Sequence, residues 1–215
     1  MIFERQIATL NRLSPEEAFE LCDGNVAFDV DGVLLNYVGG FTERVFRKHG
    51  VRAAIKDPVT YGFTCLYPDW DQARIYREIF DFNHTRGSGF EALEPLPGVV
   101  DAIERIRAAG GRVRLITKSS RHGVPALSRL DNLDAVFGRN VFEDVVQLDF
   151  EDSKADALEA IPMSMWLDDV PRHVLEGFEA GHPSWLCAMG HNAGEVGLRS
   201  RRVSGVAELF DFLEK

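Results

Sequence analysis

The stretch Val26-Ala27-Phe28-Asp29-Val30-Asp31-Gly32-Val33-Leu34 decides how the rest of the chain is read. Val26 to Val30 is an apolar run with the length of a buried strand, and Asp31-Gly32 breaks it. A carboxylate is costly in such a run, because burial strips its water without supplying a partner. Asp29 therefore requires a reason to be there. Just upstream, Ser14 predicts a helix N-cap, with Pro15 at the first helical position, Glu17 completing a capping box and Gly24 ending the helix.

Beyond residue 95, strand and helix patterns alternate. The sequence predicts a helix over Pro97 to Ala109 closed by Gly110-Gly111, then a strand over Val113 to Thr117. Leu127, Leu130 and Leu133 mark the next helix, and Val145 to Leu148 the next strand. A helix over Ser153 to Ala160, a strand from Met163 to Leu167 ending in Asp168-Asp169, a helix over Pro171 to Ala180 and a strand over Ser184 to Ala188 follow. Val206, Leu209, Phe210 and Leu213 share one face of an expected last helix. Such alternation predicts an α/β fold, Rossmann-like in three layers, with a mostly parallel sheet between helices. Residues 36–93 break the rhythm with two amphipathic helices, around Phe41 to His49 and Trp70 to Phe80. They read as a small helical insertion, with 1–35 and 94–215 forming the core.

Composition narrows the partners. The chain has 215 residues, 45% of them apolar, enough for one well-cored domain and a modest insertion. Its 34 acidic and 24 basic residues give a formal charge of −10, which argues against a nucleic-acid polymer as main partner. A small phosphorylated substrate is compatible, since one metal and a few cations set the local field. Three cysteines, Cys22, Cys65 and Cys187, form no metal-like spacing and no even disulfide set, so a reducing cytoplasm is expected. The first twenty residues carry six charges and no apolar h-region, so no secretory signal is expected. No apolar run approaches the roughly 20 residues of a membrane span.

Four features fall at the carboxyl ends of predicted strands, where open parallel sheets bind ligands. They are Asp29-Val30-Asp31-Gly32, Thr117, Lys154 and Asp168-Asp169. Alone, each has a plain explanation as a turn residue, a strand residue, a surface lysine or a pair of acids before a helix. Together, Asp29, Asp168 and Asp169 would repel one another unless a cation lay among them, and carboxylate ligands suit Mg²⁺. A hydroxyl and an ammonium beside them supply the donors that phosphoryl oxygens need.

In that order, the motifs resemble those of haloacid dehalogenase-type hydrolases. Phe28-Asp29-Val30-Asp31-Gly32-Val33-Leu34 is similar to their first motif, Thr117 after Arg-Leu-Ile to the second, Lys154 to the third and Trp166-Leu167-Asp168-Asp169 to the fourth. Receiver domains use a related set, but with the acidic pair first in the chain. The resemblance implies that Asp29 is the nucleophile that becomes an aspartyl-phosphate and that Asp31 is the general acid and base. It implies that Thr117, Lys118 and Lys154 bind phosphate. Asp29, the Asp31 carbonyl, Asp168 and Asp169 would hold Mg²⁺, with Asp168 favoured as the direct acidic ligand of that pair. Asp31 favours phosphoryl transfer over dehalogenation, since a carbon–halogen bond needs no leaving-group proton.

An insertion after the first motif is where this superfamily places its C1-type cap, a lid over the site. Gly39-Gly40 and Gly87-Ser88-Gly89 read as hinges or as plain loop glycines, and the second is no dinucleotide fingerprint. Within the superfamily, Asp29 to Tyr37 with the following Gly-Gly-Phe, and Gly89-Phe90-Glu91-Ala92-Leu93-Glu94-Pro95-Leu96-Pro97-Gly98, resemble the 5′(3′)-deoxyribonucleotidase group. That implies a (deoxy)nucleoside monophosphate as substrate, with Tyr37, Phe41, Tyr67 and Trp70 either stacking on a base or forming the cap's core. Six histidines show no paired ligand spacing, and His173 is expected on a helix surface. The implied activity is a phosphomonoesterase; a phosphomutase or other phosphotransferase, or a catalytically silent binding protein, are the alternatives.

Overall fold

The computed structural model describes residues 9–214. Residues 1–8, part of the stretch on which the absence of a secretory signal was inferred, lie outside the described residues. Helix α1 (Pro15–Leu21) begins on the expected capping box: Ser14 Oγ accepts from the Glu17 N–H at 3.2 Å, and Glu17 Oε2 accepts from the Ser14 N–H at 2.8 Å. Strand β1 (Asn25–Phe28) follows, then α2 (Tyr37–His49) and α3 (Gln72–His84) in the segment between the first strand and the rest of the sheet. The alternating half comprises α4 (Val99–Ala108), β2 (Arg112–Thr117), α5 (Gly123–Phe137), β3 (Asp144–Gln147), α6 (Ala155–Glu159), β4 (Met165–Asp168), α7 (Pro171–Glu179) and β5 (Ser184–Cys187). It ends with β6 (Arg202–Val203) and α8 (Val206–Leu209).

The six strands form one sheet in the order β3-β2-β1-β4-β5-β6, every pairing parallel. The strands are apolar on both faces because each face is covered by helices. Val26 and Phe28 point to one side, where Val99, Ile103 and Ile106 of α4 and Val206 and Leu209 of α8 pack. Ala27, Ile116 and Trp166 point to the other, against Leu158 of α6. Val174 and Phe178 of α7 meet Leu186 of β5. Burying each such side chain contributes about 1.5–3 kcal/mol before chain entropy is counted. No helix among the described residues is long and apolar enough to cross a membrane.

Two local expectations are corrected, and one strand is new. Gly39 and Gly40 are not hinges: both lie in the first turn of α2, where Asn36 Oδ1 accepts from the Gly39 N–H at 2.9 Å. A Cβ on Gly40 would run into Leu93, so the small residue permits close packing. The last helix stops at Leu209 and gives way to a 3-10 turn over Asp211–Glu214. That break lets Phe210 and Phe212 both meet Phe19, which an unbroken helix would separate by about 200°. Two-residue β6 is too short to leave a pattern in the sequence.

Gly177 faces Ser184 and Trp166 across the α7–sheet contact, and a Cβ there would overlap both side chains. Packing and helix propensity therefore oppose each other at this position. Ala is the better helix former by about 1 kcal/mol, whereas overpacking a core costs about 1–3 kcal/mol. Gly177→Ala is expected to lower the stability of the protein; an unchanged or raised urea midpoint would show that the α7–sheet contact is looser than described.

Candidate active site

The parallel topology brings the strand-end groups to one edge. Asp29 follows β1, Thr117 ends β2, Lys154 immediately precedes α6, and Asp168 ends β4 with Asp169 next to it. All five are buried. Gly32 makes the close approach possible: its φ is +83°, and a Cβ would lie 2.6 Å from Asp169 Oδ2. A larger residue there would be strained in its backbone and would push the Asp169 carboxylate aside.

Lys154 Nζ lies 2.6 Å from Asp29 Oδ1 and 2.7 Å from Asp168 Oδ2. The carboxylates of Asp29, Asp168 and Asp169 each place an oxygen within 4.8 Å of the others. Asp168 Oδ1 also accepts the Val170 N–H at 2.8 Å. Burial is the main influence on Asp29 and raises its carboxyl to about 6; Lys154 opposes this, while Asp168 and Asp31 add to it. Asp169 is pushed well above the usual range by burial and then by Asp168 and Asp29. Burial also works against the Asp168 carboxylate, but Lys154 and His173 outweigh it and hold the group down at about 2. The Lys154 ammonium is itself held charged, since its two carboxylates outweigh the burial that opposes it.

Three buried acids thus face one permanent cation, and the excess negative charge suits a divalent ion with oxygen ligands. A second observation fits an anion beside it: Thr117 Oγ1 is buried without a hydrogen-bond partner among the described residues. A buried donor left unpaired in the protein alone is explained by a ligand oxygen that it can meet.

The remaining sequence-predicted side chains lie outside the acid trio. The Asp31 carboxylate turns to Arg129, with Nη2 at 2.5 and 2.6 Å from its two oxygens. Lys118 stands outside the acid cluster, its Nζ 5.4 Å from the Phe150 ring centre, and burial lowers its pKa. Phe41 is fully buried against Phe63, Tyr67 and Phe82. Tyr37 packs among Phe63, Phe82 and Phe90, and its hydroxyl donates to Asn83 Oδ1 at 2.8 Å. Trp70 stacks on Tyr67 with centroids 4.6 Å apart, and the Arg74 guanidinium lies 3.9 Å over its ring. These rings pack on one another.

Sequence reasoning missed three neighbours of the site. His173 is buried, not on a surface: its Nδ1 lies 3.2 and 3.3 Å from the Asp168 carboxylate oxygens. Residues 173, 174, 177 and 178 share the buried face of α7, so helical spacing carried the signal. His191 Nε2 sits 3.1 Å from the Asp169 carbonyl, in a 3-10 turn without a sequence signature. Arg129 is the third.

The family model described as 5′ nucleotidase, deoxy (Pyrimidine), cytosolic type C protein matches residues 24–146, more than half of the chain. No curated protein matches the sequence. Among solved structures, the fold is similar to a protein assigned as a phosphatase from Clostridium acetobutylicum (18% identity, 89% of this chain and 98% of that one, TM-score 0.59). It is similar to CbbY from Rhodobacter sphaeroides in complex with phosphate (18%, 86% and 96%, TM-score 0.55). A protein assigned as a haloacid dehalogenase-like hydrolase from Bacteroides fragilis is a further match (16%, 76% and 86%, TM-score 0.52). The sheet order, the strand-end site and the family match agree: the chain has the haloacid dehalogenase fold and belongs to the 5′ nucleotidase, deoxy (pyrimidine), cytosolic type C family of phosphatases.

Proposed function

We propose that this phosphatase is a magnesium-dependent phosphomonoesterase that works through an aspartyl-phosphate on Asp29, with a small substrate, a (deoxy)nucleoside monophosphate. The observation that carries this reading is the buried trio Asp29, Asp168 and Asp169, with oxygens within 4.8 Å of one another and a single lysine between two of them. Asp29, Asp168, Asp169 and the Asp31 carbonyl would hold Mg²⁺. When bound, the ion supplies charge neutralisation that lets a phosphate dianion approach a carboxylate nucleophile.

The protein's own groups do the rest. An Asp29 carboxylate oxygen attacks phosphorus in line, and the bond to the ester oxygen breaks. Asp31 gives its proton to that oxygen, then takes one from the water that hydrolyses the acyl phosphate. The Thr117 hydroxyl and the Lys154 ammonium hold the phosphoryl oxygens, and Lys154 also keeps Asp29 from being repelled by Asp168. Lys118, next to Thr117, adds a further cation for the phosphate. Residues 36–93 act as the cap and 1–35 with 94–215 as the core. We place the protein in a reducing, cytoplasmic setting, where Cys22, Cys65 and Cys187 stay thiols.

Asp29→Asn removes the nucleophile while keeping its size. Its hydrolysis of para-nitrophenyl phosphate is expected to fall by at least about a thousandfold, with the circular dichroism spectrum unchanged; near wild-type turnover would exclude Asp29 as nucleophile. Chelation should abolish wild-type turnover and added Mg²⁺ restore it.

Stability should report the same site. Asp29 has a folded pKa raised from about 4 to about 6, so it holds its proton longer in the folded state than in the unfolded one. Its contribution is present at lower pH and is lost as pH rises through about 6. Above that point Asp29 and Asp168 are both ionised beside the single Lys154, and Mg²⁺ offsets the added negative charge. The rise in Tm on adding Mg²⁺ should therefore be larger at about pH 7.5 than at about pH 5. An equal rise at both would contradict a metal held by these acids.

A further inference from the structure

Arg129 lies on α5, 98 positions along the chain from Asp31, and is fully buried. Both of its contacts to Asp31 come from one nitrogen, Nη2. The guanidinium carbon stands 4.4 Å from the centre of the Phe90 ring, Nη1 lies 3.5 Å from Asn132 Oδ1, and Nε has no partner among the described residues. Asn132, one turn further along α5, donates to the Leu93 carbonyl at 3.0 Å. Arg86 reaches the same helix through Ser128 and Asp131. The return of the chain from the α2–α3 segment is thus fastened to α5 beside Arg129, and Phe90 forms one wall of its socket.

Burying a guanidinium carries a large desolvation penalty, and a hydrocarbon of similar volume would fill this space without it. Its closest contacts, and its ion pair, are with Asp31. The Asp31 side chain is 28% exposed and makes no other hydrogen bond among the described residues, so Arg129 alone fixes its direction.

We propose that Arg129 is a positioning residue for the reaction: it keeps the Asp31 carboxyl group aimed for proton delivery to the departing oxygen. The proposal rests on the reading of Asp31 as proton donor. As the bond from Asp29 to phosphorus forms and the ester P–O bond breaks, one Asp31 oxygen stays on Nη2 and the other, protonated when the substrate binds, releases its proton to the ester oxygen. A freely rotating carboxyl would be aligned in only a fraction of encounters. An oxygen that leaves readily as an anion needs that proton little, and a basic one needs it most.

The test is the dependence of kcat/KM on leaving group, with Mg²⁺ saturating and substituted phenyl phosphates as substrates. Arg129→Gln is expected to lose about tenfold or more on unsubstituted phenyl phosphate but less than about threefold on para-nitrophenyl phosphate. Arg129→Met, which keeps the packing and drops the charge, should show the same split if the Gln variant does not fold. Arg129→Lys should restore much of the loss, because a single point donor makes both contacts. In an Asp31→Asn background, removing Arg129 should add nothing further. Equal losses on both esters, or losses that add to those of Asp31→Asn, overturn the proposal. If Asp31→Asn itself leaves the leaving-group dependence flat, the proton-donor reading fails and this proposal with it. A steep Asp31→Asn beside a flat Arg129→Gln removes the role of Arg129 alone.

Discussion

The Lys154 ammonium, buried between Asp29 and Asp168, ties together the carboxyl ends of two adjacent strands, β1 and β4. Without it, three largely buried carboxylates would meet with no counter-charge between them, and ionising them together would oppose folding. With it, two acids share one counter-charge and a net negative charge remains. That remainder is the physical reason for reading a metal site. The apolar strands beneath supply the rigidity, since each positions one polar group at its last residue or just beyond.

The fold converts sequence distance into proximity in an ordered way. β1 and β4 are neighbours because the chain leaves β1 for β2 and β3 on one side, then returns to fill the other. The switch in direction lies between β1 and β4, where open parallel sheets leave a crevice for a ligand. Asp29 and Asp168 border that crevice. Thr117, one strand further out, has a buried hydroxyl with no hydrogen-bond partner among the described residues. Gly32 closes the arrangement by letting Asp169 approach the first loop.

What could be read from the sequence was whatever local rules govern. Asp29 is conspicuous because it ends an apolar strand, and Ser14 to Glu17 carry their capping box in four residues. Lys154, Thr117 and Asp168 become legible once their strands are. Arg129 was not, because its meaning depends on a partner 98 positions away, and on its helix Leu127 and Leu130 turn outward while Arg129 and Asn132 are buried. His173 had a signal in the spacing of its helix, but proximity to Pro171 suggested an exposed first turn. Gly39 and Gly40 misled in the opposite direction: their flexibility is real in the unfolded chain and is used up in the packed α2. The aromatic residues of 36–93 are legible as apolar and no further, since stacking on one another and stacking on a base use the same surface.

The central claim is that phosphate is carried on Asp29. Steady-state hydrolysis of para-nitrophenyl phosphate, quenched in acid and reduced with borohydride, converts an acyl phosphate to the corresponding alcohol. Peptide mass spectrometry should then find homoserine at position 29 and unmodified aspartate at 31, 168 and 169. Homoserine at another of these positions, or none at all while turnover proceeds, would contradict the account.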